Sequence, residues 1–548
     1  MAKTYILVYA QTHAPFRLPE LTAIQQIENI SININLSYND PTIPLIFVEC
    51  DSEDDVILLV RRSILIKKVV EYWAQGPSFD LLKESYDNIA TPINPSLLSS
   101  DHKFLIEGIG RSFALNEQIE FIEQLEFLGF NGKISLSKPE HTIILIVDYG
   151  PLYVPIDTTT DQNPNADINT NDSHSRLKTT KTLKPDIYSH RNMIVGRLIS
   201  TAITSRSLIN KYNLKTRKYL GNTSMEAEMS LVTANMAKVL PGHLVYDPFV
   251  GTGSFLLVAS EYGAYTFGSD IDGRQIRGTA GFRRNVGGID ANVSSYKLGH
   301  LILGNFVSDI TKLPFRDSAF PSINAIITDP PYGVRAGAKK LGRKSGNDPV
   351  KSLQLVDGGE IPNHLRQDYY PPTCEYEMSS VIIDLLSLAA KVLVVGGRLV
   401  FWLPTVTDEY QDSDIPTHPS LTLIANSEQN FGSWSRRLIT MEKTAELAPN
   451  NSSNNSATST NPQSSHLDTS ITQLITPNVP SSDPVSINDN LPQNSENLST
   501  SISQISINSQ STTSLKNDPK STTSDSPQQH NAEPAHKNFR IKYFNKFE

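Results

Sequence analysis

The chain has 548 residues, a formal net charge of -9 and only 19% charged side chains, so it has length for several domains and no overall basicity that would mark a nucleic-acid binder. Any such contact must come from local basic patches. Its two cysteines, Cys50 and Cys374, stand far apart without metal-ligand spacing, and no run of eighteen apolar residues occurs; we expect no metal site, no membrane span and a reducing, cytoplasmic setting.

Residues 1–154 mix short runs of β-formers (YILVYA, LIFVEC, VILLVRRSI, HTIILIVDYG) with a helical pattern, SFALNEQIEFIEQLEFLGF, that meets a stop at Gly129 or Gly132. The mixture predicts an α+β domain. Residues 155–186 hold too few apolar side chains to offset the entropy of ordering and read as a polar linker.

From 187 to 445 helical patterns alternate with strands. Thr223 and Glu226 form a T-x-x-E capping box, and Met225, Met229, Val232 and Met236 recur at helical spacing. β-like runs follow at LVYDPF, AYTFGSD, LILGNFVSD, NAIITD, RLVFWLP, LTLIANS and RRLITME, the last two separated by a short loop. The order predicts an α/β domain with a mostly parallel, doubly wound, seven-stranded sheet ending in a hairpin.

The stretch 446–536 is rich in Ser, Asn, Thr, Gln and Pro and has no aromatic residue, a composition expected to stay disordered. HKNFRIKYFNKF follows it, aromatic and basic. The tract therefore reads as an insertion, with 537–548 completing the α/β domain; the alternative is a tail that ends in a short linear motif.

The residues with chemistry gather at predicted strand ends. In DPFVGTGS, which contains Asp247 and Phe249, Gly251 and Gly253 permit a tight turn and close approach to a ligand, and the following helix offers unpaired amides. A glycine pair alone is common in α/β proteins. Asp270, nineteen residues after Gly251, is placed to accept from a ribose diol, and Asp309 follows the third run, where it could meet an adenine amino group. Position 256 is Leu where a dinucleotide loop has its third glycine, which favours a ligand with adenosine and no phosphates. S-adenosylmethionine is such a ligand.

The run AIIT then stops at Asp329-Pro330-Pro331-Tyr332, since neither proline can donate to a ladder. Asp-Pro-Pro is often only a turn. On the fourth strand of this sheet it suits methyl transfer to a nucleobase amine, whose lone pair is delocalised and must be aimed at the methyl group. Asp329 can accept one N–H of the amine and the Pro330 carbonyl the other. Tyr332 can stack on the base, and the prolines stiffen the frame. Basic residues follow at Arg335, Lys339, Lys340 and Arg343, and a second cluster, Arg61, Arg62, Lys67 and Lys68, lies in the N-terminal region. Both suit phosphate neutralisation, and both could equally be solvated basic faces.

With YLGNTSMEAEMSLVTANMA, LVYDPFVGTGS, GSDIDGRQIRG and DPPYGVRAGAKKLGRK, and with HAPFRLPEL, RRSILIKKVVEYWAQG and FLGFNGKISLSKPE nearer the N-terminus, the chain resembles the catalytic subunits of the eukaryotic tRNA (guanine(10)-N2)-methyltransferase family. The resemblance implies a THUMP-containing RNA-binding domain followed by a Rossmann-like class I methyltransferase domain. It implies a tRNA substrate, no DNA, and a small zinc-binding activator subunit as partner. The family also ends in an FRxKYF-like element, matched by Phe539, Arg540, Lys542, Tyr543 and Phe544. From the residues alone, an amino methyltransferase acting on ribosomal RNA guanine or DNA adenine, or a non-catalytic RNA-binding protein, stays open.

Overall fold

The apolar runs of the N-terminal region become strands β1 (Lys3–Tyr9), β2 (Asn33–Ile34), β3 (Leu45–Cys50), β4 (Ile66–Gly76), β5 (His102–Ile109), β6 (His141–Asp148) and β7 (Asn192–Thr201). They form one sheet in the order β2-β3-β1-β4-β7-β6-β5, antiparallel throughout except between β5 and β6. The computed structural model describes residues 2–35, 42–89, 93–150, 190–280, 286–316, 319–333, 338–342, 372–446 and 536. All of these fall in one compact unit, Met1–Ala448 with Glu533–Glu548; a second unit, Pro449–Ala532, lies outside the described residues. The expectations for the linker and for the C-terminal element also fall outside them; His536, the last residue of the polar tract, is described and buried.

One boundary moves. The sequence placed the start of the second domain at 187, but β7 sits between β4 and β6 in the middle of the first sheet. Met193 and Val195 are wholly buried in its core with Leu145 and Val147, so the first domain extends through Thr201.

Helices α1 (Arg17–Glu28) and α2 (Glu53–Arg62) cover one part of this sheet, and α3 (Phe79–Asp87), α4 (Pro95–Leu98) and α5 (Leu115–Glu123) lie farther along the chain. Ser52 caps α2 by accepting from the Asp55 amide at 3.4 Å. Three acids occupy its first turn and Arg61 and Arg62 its last, each complementing the helix dipole.

The second domain adds α6 (Ile203–Lys211), α7 (Ala227–Met236), α8 (Ser254–Glu261), α9 (Gly273–Arg277), α10 (Gly288–Tyr296) and α11 (Met378–Val392). Its strands are β8 (Leu244–Asp247), β9 (Tyr265–Asp270), β10 (Ile302–Val307) and β11 (Ile323–Thr328), then β12 (Lys339–Leu341) and β13 (Thr373–Glu375), then β14 (Leu393–Val406), β15 (Leu421–Asn430) and β16 (Trp434–Lys443). The main sheet runs β10-β9-β8-β11-β14-β16-β15. Its first five members are parallel, and β16 lies antiparallel to both β14 and β15. All seven expected strands, and the closing hairpin, are present. The architecture is a Rossmann-like α/β domain preceded by an α+β domain, and β12 pairs with β13 as a separate ribbon.

Helix α7 shows what joins the two domains. All of its residues except the half-buried Glu228 are buried, which identifies a helix packed on nearly all sides. Leu21 and Ile24 of α1, Met229 and Val232 of α7, and Leu256 and Leu257 of α8 share one continuous core. The helical spacing therefore holds for Met229, Val232 and Met236, while Met225 lies ahead of the helix and the capping box does not form. The helix begins at Ala227 with no side-chain cap, because Glu226 pairs with Arg436 at 3.0 Å and Ser224 turns its hydroxyl to Thr252 at 2.7 Å.

Candidate active site

The site is built at the carboxyl edge of the parallel strands, where open α/β sheets bind ligands. Strand β8 delivers Asp247, which is 1% exposed and accepts from the Thr328 hydroxyl at 2.6 Å and the Phe249 amide at 3.1 Å. The Phe249 side chain packs beneath the loop against the core that contains Ile326. Beyond it the chain turns through Gly251 (φ 50°) and Gly253 (φ 80°), backbone angles that disfavour side chains. Gly253 becomes the cap residue of α8. A Cβ on Gly251 would meet only the Phe249 carbonyl at 3.9 Å, so this face of the loop is open to a ligand.

Asp270, at the end of β9, joins the two loops. Its Oδ2 accepts from the Gly251 amide at 3.0 Å and its Oδ1 from the Asp272 amide at 2.8 Å. Each oxygen keeps a second lone pair, which is what a vicinal diol requires. Asp309 is used differently. Its Oδ1 accepts from the amide and hydroxyl of Thr311, and its Oδ2 from the Leu341 amide at 2.6 Å. The carboxylate thereby pins β12 to the end of β10.

Strand β11 ends in the wholly buried Thr328, followed by Asp329, buried Pro330, Pro331 and Tyr332. Asp329 Oδ1 is sealed from solvent and has no hydrogen-bond partner among the described residues. Tyr332 and Arg436 both favour its charged form, yet burial still raises its pKa to about 6. Burial likewise raises Asp270 to about 6, and Asp247 to about 8, with Asp270 and Asp329 adding repulsion. Three crowded, desolvated carboxyls would repel a pyrophosphate and welcome a cation. The open glycine face, the diol acceptors of Asp270 and this acidity together fit a cationic adenosyl ligand.

The basic clusters fare unevenly. Arg335 and Arg343 lie outside the described residues. Lys339 is exposed, and Lys340 lies over the Tyr376 ring at 4.9 Å. Arg61 and Lys67 are exposed. Two expectations need correction. Arg62 donates to Asn235 Oδ1 at 2.8 Å and the Val239 carbonyl at 2.7 Å, so it joins the domains and is not offered to phosphates. Lys68 is ion-paired with Glu107, which neutralises much of its charge.

Sequence reasoning missed Thr328, the Ser224–Thr252 contact and Arg436. Thr328 was legible as the residue before the acid. Arg436 carried no local signal, because more than a hundred residues separate it from Asp329 in the chain.

Comparison with known proteins adds the family. Residues 3–163 match the family described as the Tmrp11 THUMP N-terminal domain, and residues 215–344 match the RMKL-like methyltransferase domain. Over 473 residues the chain is 35% identical to the tRNA (guanine(10)-N(2))-methyltransferase of Schizosaccharomyces pombe, covering 80% of this chain and 89% of that protein. The Saccharomyces cerevisiae protein of the same description is 35% identical over 445 residues, covering 80% and 92%. Among solved structures, TrmN from Thermus thermophilus aligns over 80% of this chain and 99% of its own with 14% identity and a TM-score of 0.37.

Proposed function

The chain belongs to the tRNA (guanine(10)-N2)-methyltransferase family, and from that premise we propose how its strand-edge residues carry out the reaction. It is an enzyme that methylates the exocyclic N2 of guanosine 10 in tRNA, with S-adenosylmethionine as methyl donor. When bound, the donor supplies an electrophilic methyl carbon, and its sulfur keeps the electron pair of the broken C–S bond.

The protein's task is to present the amine. Asp329 accepts one N2 hydrogen and the Pro330 carbonyl the other, so the lone pair is turned toward the methyl carbon. Pro331 fixes the frame, and Tyr332 stacks on the extruded base. As the N–C bond forms, N2 becomes positively charged, and Asp329 takes the proton it sheds. Asp270 holds the ribose diol, Gly251 and Gly253 let the donor lie against the backbone, and Asp247 faces its cationic part beside Phe249. Asp309 acts by securing β12 and with it Lys339 and Lys340, which together with Arg61 and Lys67 neutralise tRNA phosphates. A small zinc-binding subunit activates the enzyme, a statement that rests on the family resemblance, and the enzyme works in the cytoplasm, a reading supported by its two widely separated cysteines. No helix among the described residues is long and apolar enough to cross a membrane.

The observation that carries the assignment is the sealed Asp329 carboxyl, which has the Tyr332 hydroxyl beside it and whose Oδ1 meets no hydrogen-bond partner of normal geometry among the described residues, since such an atom costs free energy unless a ligand satisfies it. The test is mass spectrometry of a tRNA transcript incubated with donor and either the native enzyme or Asp329→Asn. Loss of N2-methylguanosine by about a hundredfold or more is expected; undiminished product would overturn the role.

A further inference from the structure

We propose that Arg436 is a positioning residue of the active site, locked in place by Trp402 and Glu226 so that its guanidinium backs the Asp329–Tyr332 loop from across the sheet. The proposal rests on the reading of Asp329 as the acceptor of the amine. Strand register puts the arginine at the correct height. Thr328 pairs with Phe401 on β14, and Phe401 pairs with Ile439 on β16. Three residues farther along β14, Pro404 pairs with Arg436, and the same advance from Thr328 arrives at Pro331.

The side chain is held from several directions. Nε donates to Gln429 Oε1 at 2.7 Å, Nη2 to Glu226 Oε1 at 3.0 Å, and Nη1 points at the Met225 sulfur at 3.3 Å. Its guanidinium carbon lies 4.4 Å from the ring of Trp402, which is 0% exposed, and 5.6 Å from the ring of Phe431. An arginine kept for a mobile phosphate would not be fixed by partners on β14, β15 and the segment leading into α7. Its charge bears on the loop, favouring the ionised forms of both Asp329 and Tyr332. The groups that face Asp329 are Tyr332 on its own loop, Asp247 on β8, and Arg436 on β16 with Glu226 behind it. Burial pushes the Asp329 carboxyl toward its neutral form, and Tyr332 and Arg436 oppose it.

Arg436 and Glu226 therefore make predictions of opposite sign. Removing the cation favours protonated Asp329, whereas removing the anion that offsets the cation favours the carboxylate. The experiment is the pH dependence of methyl transfer to a tRNA transcript by the full chain, with its activating subunit, comparing Arg436→Gln, Arg436→Lys, Glu226→Gln and Asp329→Asn. Arg436→Gln should lower kcat about tenfold near pH 7 with the KM for tRNA little changed, and move the acidic limb upward by about half a unit. Arg436→Lys should restore part of both, and Glu226→Gln should move the limb downward. A rise in KM alone would make Arg436 a phosphate contact and overturn the proposal, as would a limb that moves the same way in both variants or not at all. If Arg436→Gln does not fold, the Glu226→Gln limb decides. Full activity in Asp329→Asn would instead remove the underlying assignment, whatever the arginine does.

Discussion

The guanidinium carbon of Arg62 lies 3.7 Å from the centroid of the Tyr262 ring, joining the last turn of α2 in the N-terminal domain to the residue that ends α8 in the catalytic one. Beneath it, Asn235 of α7 accepts from Arg62 and donates to the fully buried Glu20 at 2.8 Å. Glu20 in turn accepts from the Ser63 hydroxyl and the amides of Ile64 and Leu65. Removing Arg62 strands a side-chain carbonyl and a backbone carbonyl and uncovers an aromatic face. Arg62→Ala should lower the unfolding free energy by about 2–4 kcal/mol, while the exposed neighbour Arg61→Ala leaves the melting temperature nearly unchanged. Thermal denaturation of the two variants checks this, and equal melting temperatures would remove Arg62 from the joint.

Arg62 also shows where the sequence stopped being legible. Local periodicity gave every strand of the catalytic sheet, because a buried strand must be apolar and its ends must turn. The acids at strand ends were legible for the same reason: a polar group directly after an apolar run lies at the sheet edge. What could not be read was which distant partner each polar side chain would meet. Arg61 and Arg62 look alike in a basic cluster, yet one faces solvent and the other is covered by Tyr262. Asn192 to Thr201 looked like the opening of the second domain, because nothing in one strand states which sheet it joins. Glu226 read as half of a capping box until Arg436, far along the chain, was brought beside it.

The two acids expected to hold the adenosyl group should separate under mutation. Asp270 accepts one bond on each oxygen and keeps a lone pair on both, whereas Asp309 accepts two on Oδ1 from Thr311 and one on Oδ2 from Leu341. Asp270→Ala should weaken S-adenosylhomocysteine binding by about tenfold or more. Asp309→Ala should act chiefly on tRNA, raising its KM by freeing β12 and its lysines. Calorimetry with S-adenosylhomocysteine and initial rates against tRNA concentration distinguish them. A larger loss of cofactor affinity in Asp309→Ala would return that residue to the adenine.

Tyr332 has two separable parts. Its ring is the proposed stacking partner of the target base, an interaction worth about 1–3 kcal/mol, and its hydroxyl favours the ionised form of Asp329. Tyr332→Phe keeps the ring, so it should retain most of the affinity for tRNA while its acidic limb moves upward. Tyr332→Ala should lose about tenfold or more in kcat/KM. Equal losses in the two variants, measured with one transcript across pH, would deny the ring a role of its own.

Asp247 connects acidity to both stability and ligand charge. Burial raises its pKa from the ordinary carboxyl range to about 8, with Asp270 and Asp329 adding repulsion. Between those limits the folded chain keeps a proton that the unfolded chain has released, so the native state loses stability as pH rises toward about 8. The free enzyme should therefore melt at a lower temperature at pH 8.5 than at pH 6.5, and Asp247→Asn, which cannot release the proton, should flatten that slope. A sulfonium ligand reverses the balance, because it favours the carboxylates that the free site disfavours. Affinity for S-adenosylmethionine should rise from pH 6 to 8 more steeply than affinity for S-adenosylhomocysteine, whose sulfur is neutral. Isothermal titration of both ligands at three pH values tests this directly. Parallel pH dependences would show that the three carboxyls do not respond to the charge on sulfur.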